Sequence, residues 1–266
     1  RRRGWSAFAF PVLHPVAFPG DDDDLAMVEK PVEDGGGHGR VVVEDLGPAL
    51  EGFVRRDDYR TALIALAHHL EKEIAAEPVD GQSFSLLSQL AAARGCTIVC
   101  GYPEVARSKG QDRFYNSAWI IGTTGELLYN YRKRLLYDAD KTWASPGDKR
   151  YPLVARPFGS LTAGICMDLN DDDFTDYLQR AKARVIAFCT NWLEEGHDLY
   201  FYWRYRLLDV PSYFVAANTY GDESCPGHDF TSFAGQSAIF DPKGRLLASA
   251  PRSGDVVLTA QLSIPR

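Results

Sequence analysis

The run Leu161-Thr162-Ala163-Gly164-Ile165-Cys166-Met167-Asp168-Leu169-Asn170 opens with small, mostly apolar residues, Thr and Ile among them. That pattern predicts a buried strand, and it breaks off at a cysteine followed by polar residues and the acids Asp171, Asp172 and Asp173. Phe174, Tyr177, Leu178 and Ala181 then recur at helical spacing. The unit read is strand, turn carrying Cys166, helix. A cysteine leaving a strand ahead of a helix sits where backbone N–H groups and a positive dipole end favour a thiolate and an oxyanion. The plain alternative is a core cysteine filling a gap.

Outward from this unit, other strands end in groups with chemistry of their own. Arg40-Val41-Val42-Val43-Glu44 is a β-branched strand closing on an acid, and that acid reads as a solvated strand end or as one facing a cleft at the sheet edge. Thr97–Tyr102 reads as a buried strand running into Pro103-Glu104. Ser117–Ile121 and Glu126–Tyr131 read as a hairpin turning at Gly122-Thr123-Thr124-Gly125, and Lys133 follows it between two arginines, a pattern typical of a surface. Further strands are expected at Tyr151–Ala155, Arg184–Cys189, Tyr213–Asn218, Phe233–Phe240, Leu246–Ala250 and Val256–Leu262.

Helices are expected over Ser83–Ala93, closed by Gly95, and over the aromatic Tyr200–Leu208. A third is expected over Asp57–Ala76 from the spacing of Tyr59, Leu63, Leu66, Ala67 and Leu70. His68 and His69 lie within it but point about 100° apart, so they are no metal pair. No linker divides the later chain, so 41–266 is read as one domain. Residues 1–40 read as a poorly defined amino end, with a proline-broken apolar run, Asp21–Asp24 and Gly35-Gly36-Gly37.

Composition narrows the function classes. With 266 residues, 45% of them apolar, the chain can bury a sizeable core. A net charge of −7 and the lack of a basic stripe interleaved with aromatics speak against a nucleic-acid partner. No apolar run approaches the ~20 residues of a membrane span. Pro11, His14 and Pro15 break the segment after Arg1-Arg2-Arg3, so it is not read as a signal peptide. Five irregularly spaced cysteines make neither a disulfide framework nor a paired metal site, and a reducing, cytoplasmic setting is expected. An acid, a lysine and a cysteine at strand ends could together form and hydrolyse a thioester, with no metal and no organic cofactor.

Gly164-Ile165-Cys166-Met167-Asp168, preceded by Tyr115-Asn116-Ser117-Ala118 and Tyr131-Arg132-Lys133 and followed by Asn191-Trp192-Leu193, resembles the nitrilase or carbon-nitrogen hydrolase superfamily. Ala217-Asn218, Gly235-Gln236-Ser237 and Asp241-Pro242-Lys243-Gly244 resemble its last blocks. Gly101-Tyr102-Pro103-Glu104, together with Asp140 and Trp143 downstream of the lysine, looks most like the protein N-terminal asparagine/glutamine amidases. The resemblance implies a four-layer αββα sandwich. It makes Cys166 the nucleophile, puts Lys133 and the Met167 N–H at the oxyanion, and lets Glu44 serve as the base. Met167, Asp168, Asn191, Trp192 and Asp140 would line the substrate. The partners implied are an amide substrate, a peptide amino terminus or a small amide, and a second copy of the chain packed through the helices next to Cys166.

Two departures stand against it. No proline precedes Glu44, so Glu51 and Glu104 compete for the role of base. Where related amidases often carry a second glutamate, this chain has Lys141 beside Asp140. A small-molecule amidase or nitrilase, or a homologue that kept the fold and lost the chemistry, are the alternative readings.

Overall fold

The computed structural model describes residues 76–108, 110–148, 150–223 and 231–263, and the backbone of two strands at 39–45 and 62–67. The chain divides into Arg1–Gly36 and Gly37–Arg266, and every described residue lies in the second unit. Fourteen strands are described, in chain order β1 (Gly39–Asp45), β2 (Ala62–Ala67), β3 (Thr97–Ser108), β4 (Gln111–Ile121), β5 (Leu127–Arg132), β6 (Val154–Arg156), β7 (Gly159–Ile165), β8 (Val185–Thr190), β9 (Tyr213–Asn218), β10 (Tyr220–Glu223), β11 (Thr231–Ala234), β12 (Ala238–Phe240), β13 (Leu246–Ser249) and β14 (Val257–Leu262). The α-helices are α1 (Gln82–Arg94), α2 (Asp172–Ala181) and α3 (Leu199–Arg206).

Twelve strands form two six-stranded sheets, ordered β14-β1-β2-β3-β4-β5 and β13-β12-β9-β8-β7-β6; β10 and β11 pair by themselves. Val99 and Ile120 of the first sheet pack with Ala163, Ala187, Val215 and Ile239 of the second, so the sheets lie face to face. The outer face of the first carries Ile98, Cys100 and Trp119 beneath Leu87 and Ala91 of α1. The outer face of the second carries Ile186, Phe188 and Phe214 beneath Phe174 and Leu178 of α2 and Trp203 of α3. Helix, sheet, sheet and helix make the nitrilase-like αββα sandwich that the resemblance implies.

Local chemistry fixes the helix ends. Asp171 caps α2 by accepting from the Asp173 N–H, and Asp172 and Asp173 place negative charge on its first turn. Asp198 caps α3 in the same way, accepting from the Phe201 N–H. Gly95 ends α1 at φ 61°, a left-handed turn that suits a residue without Cβ.

Two expectations need correction. Within Asp57–Ala76, the segment Ala62–Ala67 is a strand parallel to β1 and β3, not helix; the remaining residues through 75, His68 and His69 among them, lie outside the described residues. Ala-Leu-Ile-Ala-Leu-Ala is apolar at every position, a sequence without the alternation that marks a half-exposed strand, and it pairs in parallel with both its neighbours. The strand expected to stop at Tyr102 runs on to Ser108, because Gln111–Ser117 offers a complete antiparallel partner.

Candidate functional site

Cys166 directly follows β7 and opens a 3-10 turn, Cys166–Asn170, six residues ahead of α2. Its φ is 43°, a left-handed backbone that costs a non-glycine residue about 1–3 kcal/mol and turns the chain sharply out of the sheet. The residue is half-buried against the cluster that contains Ile165 and Trp192.

Lys133 directly follows β5, in the other sheet, and its backbone N–H bonds to Asn116 O at 2.8 Å, one step beyond the last paired residues of β4 and β5. Despite its arginine neighbours it is 2% exposed. Its Nζ lies 2.5 Å from Asp140 Oδ2. Asp140 is also buried, and it accepts from Asn116 Nδ2 at 3.1 Å and from the Tyr137 N–H at 3.0 Å. Burial pushes the Lys133 ammonium toward neutrality, but Cys166, Asp140 and Asp168 outweigh it and hold its pKa above the ordinary lysine value. Lys133 is therefore a fixed cation within electrostatic reach of Cys166. It can stabilise a developing anion and cannot serve as a base at neutral pH.

Asp168 is engaged entirely by the protein. It is fully buried, and both carboxylate oxygens are taken by protein donors: Tyr131 Oη at 2.7 Å, the Ile165 N–H at 2.9 Å, and the N–H groups of Arg134 and Leu135 at 3.1 Å each. Burial pushes its pKa up, against the pull of those donors and of Lys133.

The three glutamates separate. Glu104, 1% exposed, accepts from Ser117 Oγ at 2.7 Å, Asn130 Nδ2 at 3.0 Å and Arg132 Nε at 2.9 Å, and Arg132 Nη2 reaches its other oxygen at 2.5 Å. Burial would raise its pKa, yet these donors hold it below the usual carboxylate range, as befits a structural anion with no capacity to spare. Glu44 is the penultimate residue of β1, with only its backbone described. Register carries it across to Leu66, Cys100, Trp119 and Asn130, four strand spacings and so about 19 Å from the β5 row. Glu51 lies outside the described residues.

Beside the turn is a pocket of about 180 Å³, lined by Asn170, Trp192, Glu194, Glu195, His197 and Tyr202 among others. Trp192 packs on Tyr202 with ring centroids 5.6 Å apart, and Tyr202 Oη donates to Asn170 Oδ1 at 2.6 Å. Burial raises the pKa of Tyr137, and the charges of Glu195, Asp138 and Cys166 raise it further. Asn191 Oδ1 accepts from Thr219 Oγ1 at 2.7 Å, and Met167 is half-buried with Asn170 Nδ2 3.1 Å from its sulfur. The sequence reading passed over Tyr137, Glu195 and Tyr202, which carry no motif. Asn116 lies in the Tyr115-Asn116-Ser117-Ala118 motif, whose sequence alone gives it no role. No group of three or more His, Cys, Asp or Glu is arranged to hold a metal among the described residues.

The arrangement resembles known proteins in sequence and in shape. Over 177 residues the chain is 32% identical to a protein described as a hydrolase in the pqqF 5' region of Pseudomonas protegens, covering 66% of this chain and 59% of that one. Over 80 residues it is 36% identical to the protein N-terminal amidase of Schizosaccharomyces pombe, covering 30% and 28%. The chain thus spans less than two thirds of either relative. An amidase from Nesterenkonia sp. superposes with a TM-score of 0.69 at 19% identity, covering 88% of this chain and 93% of that one, which speaks to the fold. The carbon-nitrogen hydrolase family model matches residues 59–266, well over half of the sequence, and the chain belongs to the carbon-nitrogen hydrolase family.

Proposed function

We propose that the chain is an amidase working through a thioester at Cys166. The observation that carries this reading is that the residue before Cys166 and the residue after the buried Lys133 donate to one carboxylate, that of Asp168, which ties the two segments together. The thiol proton passes to a carboxylate, and sulfur bonds to the amide carbon. Lys133 and the Met167 N–H hold the oxyanion. As the intermediate collapses, the C–N bond breaks and ammonia leaves with the transferred proton. Water then adds to the thioester, releasing the acid and restoring the thiol.

The substrate we infer is the side-chain amide of an N-terminal Asn or Gln. Its support is the likeness to the Schizosaccharomyces pombe N-terminal amidase and to the Gly101–Glu104 and Lys133–Trp143 patterns of that branch. Asn191 and Trp192 are proposed as pocket residues, and Trp192 lines the 180 Å³ pocket. For the base, resemblance favours Glu44 and position favours Asp140, which touches Lys133. We assign it to Asp140. A homodimer through the second sheet's helices is proposed as well, supported by Phe201, Tyr205 and Leu208, which are exposed on and just beyond α3.

The decisive measurement is ammonia release from peptides beginning with Asn or Gln, compared with simple amides and with ω-amides of keto acids. Cys166→Ala abolishes release, Asp140→Asn lowers it strongly, and Glu44→Gln leaves it intact. Retained activity in Cys166→Ala overturns the mechanism. A preference for simple amides moves the substrate to small molecules, and loss confined to Glu44→Gln returns the base to Glu44.

A further inference from the structure

The Asp168 carboxylate joins two segments that the chemistry needs side by side. On one side it accepts from the N–H groups of Arg134 and Leu135, the two residues after Lys133, and from Tyr131, two residues before it. On the other it accepts from the N–H of Ile165, the residue before Cys166. β5 and β7 belong to different sheets, so this one side chain ties the exit of the lysine strand to the exit of the cysteine strand. All four partners donate, an arrangement that only the ionised carboxylate satisfies fully. A buried anion is costly to keep unless its hydrogen bonds are complete. The same carboxylate, bonded to Ile165 N, braces the backbone just ahead of the left-handed φ at Cys166.

We propose that Asp168 is a positioning residue: by holding the main chain on both sides, it sets the separation between the Lys133 ammonium and the Cys166 sulfur. The proposal rests on the amidase reading in that it takes this pair as the reacting one. It also has a signature of its own. Asp168 is an anion near the pair, so if it acted by charge alone, its neutralisation would make the thiolate easier to form and alkylation faster. As a positioning residue, its loss lets the ammonium drift and slows alkylation.

The test uses the full chain and iodoacetamide, with the modified residue located by peptide mapping, since Cys96, Cys100 and Cys189 are buried. In Asp168→Asn the rate at Cys166 at neutral pH falls about tenfold, in the same direction as in Lys133→Met. Tyr131→Phe keeps the charge, removes one of the four bonds, and slows the reaction about twofold. In ammonia release, kcat falls in both Asp168→Asn and Tyr131→Phe while KM changes little. An unchanged or faster rate in folded Asp168→Asn overturns the proposal. If that variant does not fold, a wild-type rate in Tyr131→Phe does so. Where Lys133→Met slows alkylation and Asp168→Asn does not, only the positioning role fails. If Lys133→Met has no effect, the amidase reading fails too, and with it the positioning role.

Discussion

Asp140 and Lys141 are consecutive in the chain yet face opposite ways: Asp140 turns inward to Lys133 Nζ at 2.5 Å, while Lys141 turns out to Asp138 at 2.8 Å. Lys141 is therefore an exposed, solvent-facing partner of Asp138, and under the proposed function it is Asp140 that supplies the carboxylate. Asp140→Ala leaves a buried cation unpaired and is expected to cost about 3 kcal/mol, whereas Lys141→Ala, an exposed pair, is expected to cost less than about 0.5 kcal/mol. Chemical denaturation of the two variants checks this. Ammonia release should follow the same order, with Lys141→Ala near wild type.

Glu104→Gln removes the charge that four hydrogen bonds converge on, two of them buried and two partly buried, with an expected loss of about 2–3 kcal/mol. The folded pKa of Glu104 is depressed, so its stabilisation is complete above the unfolded carboxylate value of about 4.3 and is lost as pH falls through the folded one. Thermal unfolding between pH 2 and 5 should therefore fall less steeply in Glu104→Gln than in wild type.

The opposite sign holds for Lys133. Its folded pKa is raised, so its contribution is whole below the unfolded lysine value of about 10.4 and disappears as pH climbs through the folded one. Burial likewise raises Tyr131, adding to the alkaline loss. Unfolding scans above pH 10 should be shallower in Lys133→Met. Ammonia release should show no falling limb from Lys133 below that pH.

Gly147→Ala tests the backbone around the lysine. The Gly147 N–H bonds to Lys133 O at 2.8 Å, and a Cβ here would lie 2.2 Å from Arg132 O and 2.8 Å from Arg132 C. Backbone must move, at about 1–3 kcal/mol. Since the displaced peptide carries Lys133, kcat is expected to drop more than the melting temperature suggests.

Phe201→Asp addresses assembly. Phe201 and Tyr205 stand one helical turn apart on α3, 68% and 61% exposed, with Leu208 at 64% just beyond. If that face pairs with a second copy, light scattering should give a dimer for wild type and a monomer for this variant. A dimer in both moves the interface elsewhere.

Much of the sandwich is legible in the sequence wherever one period dominates. α1 ends at its glycine, β7 breaks at Cys166, and β8 and β9 are unbroken apolar runs. β2 was not legible, because a fully apolar hexamer carries no period with which to tell strand from helix. β10 was missed because Tyr220–Glu223 is polar and pairs only with β11, and the strand read over Phe233–Phe240 is broken at 235–237 into the end of β11 and β12. At the site, Lys133 and Cys166 are found by resemblance, while the burial of Lys133 is not: two flanking arginines suggest solvent, and its ion-pair partner Asp140 lies seven residues on, past a loop. The inward turn of Asp168 leaves no local trace either, since three of its four donors are main-chain groups.

Because the lysine leaves one sheet and the cysteine the other, their alignment is only as good as the seating of one sheet on its neighbour. A sliding of less than a side chain's width along that seam would separate the pair without melting either layer. Substitutions deep in the seam, at Val99 or Ala187, far along the strands from any reacting atom, should therefore silence turnover before they unfold the protein.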